Sequence, residues 1–187
     1  MEASMNEKKK LNTKTLALIG VMTAVTCILG PLSIPLPISP VPISLTNLAI
    51  YFSLYVLGMK KGTVSYLIYL LIGFIGLPVF SSFTSGPAKL LGPTGGYLIG
   101  FIFMALIGGF VIDRTGNVPV CFIGLVIATA VCYMFGTAWL AYQGGMTFYA
   151  ALAAGVIPFI PGDLAKIVIA MLAGPQIRKR LRKAGLV

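Results

Sequence analysis

Apolar residues in this chain do not recur at every third or fourth position with polar residues between them. They run on in long blocks, and charges gather where the blocks end. A helix that is apolar all round is buried in a large core or in lipid, and a block of about 20 such residues is the length that crosses a bilayer. The blocks fall at about 15–29, 43–57, 63–80, 97–112 and 118–142. A further apolar stretch, 147–174, is too long for one simple crossing and is interrupted by Pro158, Pro161 and Gly162. It reads as a short helix over 148–157 followed by a last span that opens at Pro161, since proline is well tolerated in the first turn of a helix. The pattern predicts an all-α integral membrane protein of six transmembrane helices. It forms a single domain, with a flexible basic segment at 1–13, the bundle at 14–177 and a basic tail at 178–187.

Between these blocks lie two unusual segments. PLSIPLPISPVP, at 31–42, carries five prolines yet is otherwise apolar. Proline has no amide donor and disfavours helix in the residue before it, so the stretch is read as a non-helical loop. An apolar loop has to pack on protein or at the membrane surface, which suits a lid or plug. SSFTSGPAKLLGPTGG, at 81–96, is rich in Gly, Ser and Pro and is also read as a loop.

Composition fits this picture. Charged residues make up 10% of the chain and hydrophobic residues 58%, whereas a soluble domain carries roughly 25% charged residues. The net charge of +10 does not signal nucleic acid, because the basic residues sit in short clusters at block ends. With the amino terminus placed in the cytoplasm, Lys8, Lys9, Lys10, Lys14, Lys60, Lys61, Arg114, Arg178, Lys179, Arg180, Arg182 and Lys183 all fall on the inner side. The positive-inside rule then puts both termini in the cytoplasm, with an even number of spans. The inner loops MKKG and DRTGN are minimal and the outer ones elaborate, which argues for capture of something from outside. The first block has no small-residue cleavage site after it and reads as a retained helix. Cys27, Cys121 and Cys132 lie in apolar stretches, form no CxxC pair and read as small buried residues; no metal or cofactor site is expected.

Asp163 and Lys166 are the ionisable pair placed inside the membrane, where a charge is costly and faces the bundle interior. Their i, i+3 spacing puts them on one helix face. They either neutralise each other or form a polar clamp for a ligand. The run at 91–100 contains Gly92, Thr94, Gly95, Gly96 and Tyr97; its glycines permit close approach of backbone to a ligand or tight packing against a helix. It lacks the GK[ST] ending of a phosphate loop, and no ATP-hydrolysing motif occurs. Ser44, Thr46 and Asn47 either cap the second span or line a pocket, and Ser85 adds a hydroxyl from the Gly/Ser/Pro loop. On the first span Ala17, Gly20 and Ala24 make a small-residue face, suited to packing within the bundle or to docking a partner. No catalytic constellation is evident, so an enzyme is not expected. One charged pair without an internal repeat is little for a carrier working alone.

Four motifs in order, IPLPISPVPISLTNLA (34–49), LIGFIGLPVFSSF (71–83), LLGPTGGYLIGF (90–101) and IPFIPGDLAKIVIA (157–170), resemble the BioY family, the biotin-binding S components of energy-coupling factor (ECF) transporters. The resemblance implies six helices, biotin as the transported ligand, and a complex with a transmembrane coupling subunit and two ABC-type ATPases. It also implies an alternative, an autonomous biotin carrier without the ATPase module. The family's PGDLxK motif falls on Asp163 and Lys166, and its GPTGGY motif on Gly92 to Tyr97. Its docking face on the first helix is matched in part, with Gly20 and Ala24 standing in.

Overall fold

The structure, a computed structural model, describes residues 13–186. The basic residues Lys8, Lys9 and Lys10, and most of the predicted flexible segment, lie outside the described residues.

The apolar blocks are helices. α1 is Thr13–Leu29, and after it the chain forms two short antiparallel strands, β1 (Ser33–Leu36) and β2 (Ser39–Ser44). α2 (Thr46–Phe74) follows, then a single 3-10 turn at Ser81–Phe83, then the five-residue α3 (Pro87–Leu91). α4 (Gly95–Arg114) and α5 (Val118–Gly144) form a long antiparallel pair. α6 (Phe148–Gly155), a second 3-10 turn at Ile157–Phe159, and α7 (Ile160–Lys183) complete the chain.

The predicted second and third spans are the two arms of α2. They part at Gly58, whose φ of 77° and ψ of 178° are open in practice only to glycine. No MKKG loop separates them, because one residue makes the break and Met59 is already helical. The freed Met59 N–H donates to Asp113 Oδ2 at 2.8 Å, a carboxylate supplied by the end of α4.

The third block was expected to run to 80, but its helix stops at Phe74. Gly76 (φ 116°) turns the chain, and Phe80 folds back into the core against Gly73 and edge-on to Tyr69, ring centroids 5.6 Å apart. At the other end of the chain, α7 continues through Pro175 into the expected tail. Arg180, Arg182 and Lys183 occupy its last turn, where cations oppose the negative end of the helix dipole.

Apolar side chains cover the outside of the bundle as well as filling its core. Ile28, Leu71, Ile123, Met134 and Leu172 are all more than half exposed, whereas Tyr51, Tyr66 and Tyr69 are fully buried with their hydroxyls satisfied. Tyr66 donates to Leu98 O at 2.8 Å, Tyr69 donates to Val79 O at 2.9 Å, and Tyr51 shares a 2.6 Å bond with Thr129 Oγ1. A buried hydroxyl without a partner is costly, so these bonds fix which tyrosine face points inward.

Gly95–Arg114, Val118–Gly144 and the run Phe148–Lys183, which joins α6 to α7, are long and apolar enough to cross a membrane; α1 is apolar but shorter. The protein is a helical membrane protein.

The basic clusters among the described residues gather at one end. There Lys14 Nζ donates to Gly185 O (3.0 Å), Lys61 Nζ donates to Thr15 Oγ1 (3.4 Å), and Arg178 stands 3.8 Å from Asp113. The hairpin, α3 and α6 lie at the opposite end.

Candidate functional site

The proline stretch is not helix, as expected, but it is more ordered than a loop. β1 and β2 pair in the register Ser33 with Ser44 and Ile34 with Ile43, then slip before Leu36 pairs with Ser39. The slip falls at Pro35, which has no N–H to give to the ladder. Ser33 Oγ accepts from Ser82 N at 2.8 Å and so pins the hairpin to the 3-10 turn after α2.

Beneath β2 the helices line a recess. Val41 and Pro42 from the hairpin, Tyr97 and Phe101 from α4, and Phe159 from the turn before α7 supply apolar wall. Polar atoms come from Ser44, Thr46, Asn47, Ser81, Thr94, Thr129, Tyr133, Asp163 and Lys166. A mostly apolar cavity with a few convergent polar groups is the usual form of a small-molecule site.

Asp163 and Lys166 sit in the first two turns of α7, 7% and 8% exposed. Lys166 Nζ donates to Asp163 Oδ1 at 2.9 Å and to the Ser44 carbonyl at 2.7 Å. Tyr133 OH donates to Asp163 Oδ2 at 2.6 Å. Each carboxylate oxygen thus has one donor and keeps capacity for a second, while the ammonium keeps its third proton. The two readings of this pair are therefore compatible: the charges neutralise each other and still face the cavity.

Thr94 Oγ1 is buried on the cavity lining and has no protein partner. Tyr97 donates its hydroxyl to Gly155 O at 2.9 Å and presents its ring to the cavity. Ser44, one residue before the Leu45 cap of α2, lines the recess: its Oγ accepts from Thr46 N at 2.9 Å while its carbonyl accepts from Lys166. Asn47 lies beside it on the lining.

Four predicted site residues lie elsewhere. Gly95 and Gly96 do not face the cavity; they let the start of α4 pack closely on α3 and α5. A Cβ on Gly96 would stand 2.6 Å from Phe135 O, and one on Gly95 would strike the Leu90 carbonyl. Gly92 accepts from Trp139 Nε1 at 2.9 Å through its carbonyl. Ser85 sits between the 3-10 turn and α3, off the lining, and it is Ser81 that reaches the cavity. Lys89 on α3 is also off the lining, and burial lowers its pKa.

Sequence reasoning missed Thr129 and Tyr133 on α5. Their signal is the i, i+4 spacing of two hydroxyls in an otherwise apolar span, which puts both on one inward face. Ala17, Gly20 and Ala24 lie on an exposed strip of α1, and a Cβ on Gly20 would meet nothing within 4 Å. Among the described residues this strip faces outward from the bundle.

Fold and cavity together define a membrane-embedded helical bundle built around a recess whose wall carries a buried ion pair. The chain belongs to the BioY family, whose model matches residues 5–183. It is 36% identical to a biotin transporter BioY of Thermotoga maritima, over 86% of this chain and 93% of the relative. It is likewise 36% identical to one of Rhizobium etli, over 89% of this chain and 94% of that one. The crystal structure of the S-component for biotin from an ECF-type ABC transporter superposes with a TM-score of 0.83 at 33% identity, covering 94% of this chain and 95% of that one. These relatives are transporters rather than enzymes.

Proposed function

We propose that this protein captures biotin in the recess beneath the hairpin, as the substrate-binding subunit of an ATP-driven ECF importer. In this reading it crosses the prokaryotic cytoplasmic membrane six times with both termini inside. The buried Asp163–Lys166 pair, with Tyr133 on its far carboxylate oxygen, carries the reading. Biotin offers two ureido N–H donors, a carbonyl acceptor, an apolar thioether ring and a carboxylate. Asp163 accepts from the ureido N–H groups, and the third Lys166 proton goes to a ligand oxygen. Charge-assisted bonds of this kind contribute roughly 1.5–3 kcal/mol each. The rings of Tyr97, Phe101 and Phe159 take the apolar body.

The relatives named as biotin transporters and the S-component for biotin support the ligand. Energy comes from outside the chain, which has no nucleotide-binding motif. The exposed strip Ala17, Gly20 and Ala24 is the docking face for the transmembrane coupling subunit, which links it to the two ABC-type ATPases.

Mass spectrometry of the purified protein tests the ligand, with co-purified biotin expected from wild type and none from an Asp163→Asn, Lys166→Ala double variant. Liposomes test the mode. Biotin uptake that requires the coupling subunit and ATPases supports the ECF role, and uptake by this chain alone replaces it with an autonomous carrier.

A further inference from the structure

The end of the bundle opposite the hairpin holds a second recess, between α2, the α4–α5 turn and α7. Its deep wall is apolar, formed among others by Tyr55, Ile112 and Met171, and three cations, Arg178, Lys179 and Arg182, stand on its lining. Lys179 and Arg182 are exposed. Arg178 Nε is buried and makes no hydrogen bond. Asp113 pairs with the guanidinium only through Oδ1 and Nη2, at 3.8 Å, and its Oδ2 accepts from the Met59 N–H, so the pair leaves Nε without an acceptor.

We propose that this recess binds the phosphate of an anionic phospholipid, with the start of an acyl chain against its apolar wall. A buried guanidinium N–H without an acceptor is costly, and a phosphate oxygen is an acceptor that arginine geometry suits. Two further cations on the same lining match the headgroup's charge, and basic pockets at helix ends on the cytoplasmic side suit anionic headgroups. The apolar wall distinguishes a lipid from free phosphate, which has nothing to place there. Val118, on the same lining, is 66% exposed on the outer surface of the bundle, where an acyl chain would leave the recess. Because α7 is one helix from Ile160 to Lys183, the cations are held at a fixed height relative to the apolar wall and do not trail on a loose tail.

The test uses the full chain in detergent, with native mass spectrometry after addition of dioleoylphosphatidylglycerol or dioleoylphosphatidylcholine, and thermal unfolding with either lipid or inorganic phosphate at matched ionic strength. Retention of phosphatidylglycerol over phosphatidylcholine is expected, with a larger rise in unfolding temperature than phosphate gives. Lys179→Gln and Arg182→Gln each lower phosphatidylglycerol occupancy about fivefold, with biotin binding unchanged. Arg180→Gln, on the same turn but off the lining, leaves occupancy unchanged. Equal retention of the two lipids, or an Arg180→Gln loss as large as the others, overturns the proposal. So does a thermal shift with phosphate alone that matches the lipid's.

Discussion

The described residues include two carboxylates, Asp113 and Asp163, and the two ends of the molecule use them differently. At the hairpin end Asp163 is buried between Lys166 and Tyr133, on the wall of a cavity. At the basic end Asp113 stands at the surface and accepts from a backbone amide released by a break in α2. Asp113 accepts one hydrogen bond and completes a backbone conformation, whereas Asp163 accepts two and keeps its remaining capacity on the wall of the recess. What separates them is where the unused lone pairs point. In a chain this poor in charge, a carboxylate facing an internal recess reads as a binding group and one closing a helix break reads as architecture.

Substitutions can break that contrast. The largest effect is expected from Lys166→Ala, which strands a buried carboxylate. It should cost about 3–5 kcal/mol of stability and weaken biotin binding by at least about a hundredfold, read by thermal unfolding and by titration calorimetry. Near wild-type binding would mean that Asp163 is as architectural as Asp113. Tyr133→Phe should cost about 1.5–3 kcal/mol at most, the net value of a hydrogen bond to a charged group, and calorimetry should find that loss in biotin affinity. Gly58→Ala forces a side chain into a glycine-only conformation and places its Cβ 2.9 Å from both Asp113 oxygens. A loss of about 1–3 kcal/mol should appear in the unfolding transition with biotin affinity unchanged. An affinity change there would show that the two ends are coupled. Ser85→Ala, off the cavity lining, should change stability by less than about 0.5 kcal/mol and leave binding as it was.

Much of this contrast was legible in the sequence. Unbroken apolar blocks announce helices in lipid, and a lone Asp and Lys three residues apart within such a block announce a shared inward face. The break at Gly58 was visible only as a loop, because its geometry depends on an acceptor more than fifty positions away on α4. The hairpin was hidden by its own prolines, which argue against a ladder; it forms nonetheless, with a register slip at Pro35 and an anchor on Ser82. The glycines of GPTGGY pointed equally to a ligand or to a neighbouring helix. The choice fell to the bulk of Trp139 and the Phe135 carbonyl, which no local pattern contains. Tyr133 escaped notice because a single tyrosine in an apolar span is unremarkable until the neighbouring helix shows what it faces.

Trp139 is the only tryptophan in the chain. Its indole N–H binds the Gly92 carbonyl, and its side chain packs on Gly95 and Gly96, next to the Thr94 and Tyr97 that line the recess. Excited at the red edge, where tyrosine does not absorb, the protein therefore carries a built-in optical reporter at one corner of the recess. Ligand entry that shifts the start of α4 can be followed in the emission of this one indole, with no label attached.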